Sequence, residues 1–184
     1  MPLALEQIQP FHNYFEQFGL RNFQSFEILI GTGRELNHIP PEDIWDNIIP
    51  TVLILDELRD HFNAPIVISS GYRSEAYNDG ISGASDKSQH QAFTALDFHV
   101  RSSDVTTSDV VGVLKEWRDN EKIFLLPRPI TRKPVQVQEG TVPFTPLTKD
   151  DTVAENHFIF KGGIGLYNTF VHLDTRGDNR SWNG

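Results

Sequence analysis

The sequence predicts an α+β domain with a mainly antiparallel sheet and helices packed on it. Apolar residues recur at helical spacing in some stretches, short β-branched runs stand apart from them, and the two kinds do not alternate as a parallel sheet requires. With 184 residues, 38% of them hydrophobic, the chain can bury one sizeable core, and its length favours a single domain over residues 1–184.

Phe11, Tyr14, Phe15 and Phe18 follow Pro10 at helical spacing, with Gly19 as a stop, which predicts a short helix whose aromatic stripe faces the core. A second helical region follows "IPPED" and carries Ile44, Ile48, Ile49, Val52, Leu55 and Leu58. Pro50 either kinks it or starts a new helix. "PIVIS" reads as a buried strand that delivers the chain into a loop at Gly71. "ALDFHV" alternates, with Leu96, Phe98 and Val100 on one face and Ala95, Asp97 and His99 on the other, so Asp97 projects from a strand. "TSDVVGVLKEWRDN" predicts a capped helix and "KIFLL" a strand. Residues 127–157 then hold five of the eleven prolines and show little periodicity, the pattern of a Pro-rich insertion or flap. The final stretch gives two short β-like runs, with Phe170, His172, Asp174 and Arg176 alternating onto one face.

The net charge of −9 argues against nucleic acid as a partner, because a broad cationic face is missing. No apolar run is long enough for membrane insertion, and "MPLALEQIQPFHNYF" has neither the basic start nor the apolar stretch of an export signal, so a soluble chain without a signal peptide is expected. The absence of cysteine removes thiolate nucleophiles, disulfides and cysteine-based zinc clusters together, leaving histidine and carboxylate as ligands.

His90 and Asp97 stand seven residues apart. Donor atoms of two ligands on one tetrahedral zinc lie only about 3.3 Å from each other. Seven residues of strand span about 23 Å and of helix about 10 Å, so the chain must turn between a loop histidine and a strand aspartate. The pair alone is weak evidence, since a surface histidine near a strand-end aspartate is common. His172 strengthens it, because in "FVHLD" it opposes the apolar Val171 and Leu173 and faces the polar side that Asp97 can share. His90, Asp97 and His172 would make a three-ligand zinc site with an open fourth position, in a cleft on the sheet face.

"SGYRS", then "SQHQAFTALD", then "FVHLDTRG" resembles the zinc D-alanyl-D-alanine carboxypeptidase family and its peptidoglycan endopeptidase relatives, over roughly residues 40–126 and 158–177. The resemblance implies a Zn2+-dependent metallopeptidase with His90, Asp97 and His172 as ligands and a D-alanine-containing peptidoglycan stem peptide as substrate. By the same resemblance Arg73 holds a substrate carboxylate or the developing oxyanion, for which its fixed fork of N–H donors is suited; its plain alternative is an ion pair with Glu75. Ser88 matches a serine beside the substrate. The family's habits also leave room for a phage-derived, endolysin-like enzyme acting on the cell wall.

Two departures stand out. Phe93 occupies a position where relatives carry glycine, so a differently built turn, or a ring lining the cleft, is expected. Thr169 occupies the position of an acidic general base, three residues before His172. Asp174 is the substitute candidate, with an equally supported role in orienting His172 or pairing with Arg176. His99 shares the Asp97 face, while Glu155 and His157 would approach the cleft if the insertion folds over it. A catalytically silent binding or phage assembly protein on the same fold is the competing reading, and Thr169 is its main support.

Overall fold

The computed structural model describes residues 5–147, 152–153 and 157–184. Helix α1 (Leu5–Phe15) continues as a 3-10 turn to Phe18 and stops at Gly19, whose φ of 58° is left-handed. Its start corrects the expectation that Pro10 precedes the helix. Pro10 lies inside, forgoing one backbone bond, while Phe11, Phe15 and Phe18 anchor the segment in the core. A single turn, α2 (Ser25–Ile28), follows. Residues Glu42–Ile48 form a 3-10 segment and α3 (Ile49–Phe62) starts anew with Pro50 in its first turn, where no amide donor is needed.

Strand β1 (Ile66–Ser70), the turn α4 (Glu75–Asp79), strand β2 (Ala95–Val100) and helix α5 (Thr107–Asp119) come next. Thr106 and Asp109 close α5 with a reciprocal capping box. β3 (Ile123–Leu125) precedes the insertion, which contributes β4 (Ile130–Thr131), the hairpin of β5 (Gln136–Val137) and β6 (Gly140–Thr141), and β7 (Thr152–Val153), and β8 (His157–Ile159) begins at its last residue. The chain ends through β9 (Gly163–Leu166), β10 (Val171–Asp174) and β11 (Arg180–Asn183).

The main sheet has the order β1-β2-β10-β9-β11, antiparallel except for the parallel pair of β9 with β11. Helices α3 and α5 pack against it. Leu96, Phe98, Val171, Leu173 and Ile164 are among the sheet residues of the core cluster. Side chains alternate along a strand, so this arrangement commits Asp97 and His172 to the opposite face. Register then places them together: His172 pairs directly with Asp97.

Described parts of the insertion lie against the body. Buried Asn47 donates to the carbonyls of Ala92 and Lys133, each at 2.8 Å, and accepts from the Lys133 amide. Gln89 donates to Pro143 O at 2.5 Å, and the Thr145 amide to Arg176 O at 2.7 Å. Glu155 lies outside the described residues. Among the described residues, no helix is long and apolar enough to cross a membrane.

Candidate metal centre

One donor atom from each of His90, Asp97 and His172 lies within 4.8 Å of the others, and all three residues are buried. His90 sits in the turn before β2, where its Nδ1 bonds the Gly71 carbonyl at 2.7 Å. That bond fixes the tautomer and turns Nε2 toward Asp97, 3.3 Å from Oδ1. His172 lies 2.8 Å from Asp97 Oδ1 through Nδ1 and 3.0 Å from Asp174 Oδ2 through Nε2. Asp97 divides its oxygens: Oδ1 faces the two rings, while Oδ2 accepts from Arg73 Nη2 at 2.9 Å. Two imidazole nitrogens and one carboxylate oxygen, with the second atoms of all three groups already engaged, form a donor set that suits zinc. The residues present therefore fit the metal.

The charges are strongly mutual. Burial lowers the affinity of His90 for a proton and outweighs the attraction of Asp97. Burial disfavours an ionised Asp97, yet its contacts with His90 and His172 overcome it and hold its carboxyl well below the usual range. His172 is also penalised by burial, but its bonds to Asp174 and Asp97 push it up to about 9. Asp174 is held low, against its own burial, by Arg176 and His172.

These groups open on a cleft of about 750 Å³, lined also by Ser88, Glu139, Tyr167, Phe170 and Trp182. Arg73 lines it with its Nε and Nη2 on Ser70 Oγ, at 3.1 and 2.9 Å. The alternative pairing with Glu75 is not formed, since Glu75 accepts from the Gln138 amide. Ser88 Oγ accepts from the His90 amide at 3.3 Å and so braces the ligand turn. Asp174 is completely buried and does not line the cleft; its oxygens take the Gly163 amide, both faces of the Arg176 fork and His172.

Phe93 meets neither expectation. Its φ of 54° is the left-handed conformation a glycine would supply, so the turn is kept. The ring is wholly buried against Phe11 and Tyr72, away from the cleft. His99 and Thr169 share a separate cavity near the start of α5, and exposed His157 opens β8. Asn78 donates to Ser85 O across the loop between α4 and His90. Sequence reasoning missed Ser70 and Trp182. Ser70 belongs to the "SGYRS" stretch and was readable there; Trp182 sits in a polar tail that carries no periodicity.

A buried two-histidine, one-carboxylate centre on a sheet face, open to a cleft with an arginine at its edge, is the constellation of a zinc metallopeptidase. The sequence pattern known as Peptidase M15 matches residues 21–124, a span that includes Arg73, Ser88, His90 and Asp97 and ends before His172. The chain belongs to the Peptidase M15 family, whose members are zinc-dependent hydrolases of peptides. No curated protein and no solved structure matches it.

Proposed function

We propose that this protein hydrolyses D-alanine-containing peptides of peptidoglycan, as a carboxypeptidase or a cross-link endopeptidase, and that residues 1–184 act as one peptidase domain. The observation that carries this reading is the convergence of His90, Asp97 and His172 beside Arg73 on an open cleft. The substrate class rests on the resemblance of "SGYRS", "SQHQAFTALD" and "FVHLDTRG" to peptidoglycan peptidases.

When bound by His90, Asp97 and His172, zinc supplies a Lewis acid that polarises a carbonyl and acidifies water. Arg73 keeps Asp97 Oδ2 occupied and so leaves Oδ1 for the metal. Its Nη1, which has no hydrogen-bond partner among the described residues, is available to a substrate carboxylate or a developing oxyanion. Ser88, through its hydroxyl at the cleft wall, offers a hydrogen bond to a peptide carbonyl. Of the two roles open to Asp174, burial and full occupancy of its carboxylate support holding His172 in place. Among the described residues, the carboxylates lining the cleft besides Asp97 are Asp86 and Glu139, and we assign the proton-accepting role to this pair.

The decisive experiment incubates zinc-loaded protein with peptidoglycan fragments and identifies the products by mass. Release of D-alanine or of split cross-links is expected, with alanine at His90, Asp97 or His172 abolishing both cleavage and zinc retention. Full zinc retention in all three variants rejects the site. Intact zinc without cleavage favours the catalytically silent reading, which the placement of Thr169 outside the cleft also supports.

A further inference from the structure

Strand registers place Ser70 opposite Asp97, Asp97 opposite His172, His172 opposite Gly165, and Gly165 opposite Trp182. The centre is thus one rung running across all five strands, and the position between His172 and Trp182 carries no side chain. That gap is filled. A Cβ on Gly165 would stand 2.7 Å from the Trp182 ring, and one on Gly163 would stand 3.0 Å from it and 2.5 Å from Asp174 Oδ2. Both glycines permit the indole to lie across β9 and reach His172, with ring centroids 5.2 Å apart.

The indole is itself held. Its Nε1 donates to Tyr167 Oη at 3.0 Å, and Tyr167 stacks on Phe170 at 4.2 Å. Arg176 lies over its ring at 5.5 Å. Buried Arg118 of α5 donates to Gly162 O and Arg180 O and to Ser181 Oγ, which fastens β11 beside β9.

We infer that Trp182 is a positioning residue for the metal ligand His172. Asp97 and Asp174 fix the two nitrogen edges of the imidazole and His90 stands on one flank, at 5.1 Å between centroids. Trp182 covers a further flank and stops the ring from tilting out of the line that aims Nδ1 at the centre. The inference rests on the metal reading above but not on the identity of the substrate.

The test measures zinc affinity of the full chain by competition with a chromophoric chelator, beside the urea midpoint of each metal-free variant. Trp182→Ala weakens zinc binding about tenfold or more, the usual cost of losing a partner of a metal-bound histidine. Gly165→Ala, which displaces the indole without removing it, does the same, and Trp182→Phe retains most of the affinity. Co2+ added to the wild type quenches an indole signal that Trp182→Phe lacks. Zinc affinities of Trp182→Ala and Gly165→Ala within twofold of wild type overturn the inference, as does a loss of affinity that only tracks the fall in urea midpoint. If Trp182→Ala does not fold, the contrast between Gly165→Ala and Trp182→Phe decides in the same way. A wild-type protein that takes up no zinc would instead overturn the metal reading itself.

Discussion

Asp97 shows how one side chain is shared between binding and orientation. Its Oδ1 faces two imidazoles while Oδ2 is held by a guanidinium, so the carboxylate cannot rotate to offer both oxygens to a metal. The same division of labour sets the expected behaviour of the acidic residues around it. Glu139→Gln or Asp86→Asn, whichever of the two accepts the proton, is expected to lower kcat with zinc content unchanged. Asp174→Asn acts instead through the metal: zinc affinity falls about 10–100-fold, and added zinc restores part of the rate. An Asp174→Asn enzyme with normal zinc affinity but no turnover would return the proton-accepting role to Asp174. Asp97 and His172 were legible in the sequence because strand alternation tells which face each occupies, and His90, which lies in a turn, because of the resemblance of "SQHQAFTALD" to zinc peptidases. Of the partners of Asp174, His172 and Arg176 were legible from alternation along the strand, but the Gly163 amide was not, since it meets Asp174 only once β9 lies beside β10.

At the scale of elements, the turn between His90 and Asp97 is supported from three directions. Phe93 anchors it in the aromatic cluster of α1, Asn47 ties Ala92 to the start of α3, and Gln89 reaches the insertion at Pro143. Asn47 is the hub, with three hydrogen bonds worth about 1 kcal/mol each when made and more when a buried partner is left open. Asn47→Ala is therefore expected to destabilise the protein by about 2–4 kcal/mol in urea unfolding, and to make residues 127–147 the first site of limited proteolysis. Unfolding of Asn47→Ala within 0.5 kcal/mol of wild type, roughly the scatter of a neutral surface change, would show that the insertion is held by other contacts. Helices α3 and α5 and strand β2 follow directly from periodicity, and β1 and β3 from short apolar runs. The pairs β4 with β7, β5 with β6 and β3 with β8 do not, because strands of two or three residues leave no alternation to read.

For the whole molecule, the consequence of a buried charged cluster is a dependence on pH that the metal reshapes. In metal-free protein, His172 is raised from 6.5 to about 9, so its contribution to stability is complete below pH 6.5 and lost as pH rises through 9. Asp97 and Asp174 are lowered from 3.8, so their contribution is complete above that value and lost as pH falls further. His90 is lowered from 6.5 by burial, so its contribution is lost as pH falls below that value, and metal-free protein should accordingly melt highest near pH 6.5. Zinc must displace the His172 proton, so its affinity should climb between pH 7 and 9 with release of close to one proton, measurable by titration calorimetry in buffers of different ionisation enthalpy. A pH-independent zinc affinity over that range would mean that His172 is neutral before the metal arrives. The rung that joins Ser70, Asp97, His172, Gly165 and Trp182 also limits how the sequence can vary in length. Loops between the strands tolerate insertion, but one residue added within β2, β9 or β10 exchanges the cleft face for the core face along the rest of that strand. Two added residues restore the face and displace the ligand by about 6.6 Å, farther than any donor distance can absorb. The spacing of residues inside these short strands is therefore under stricter constraint than the identity of most side chains they carry.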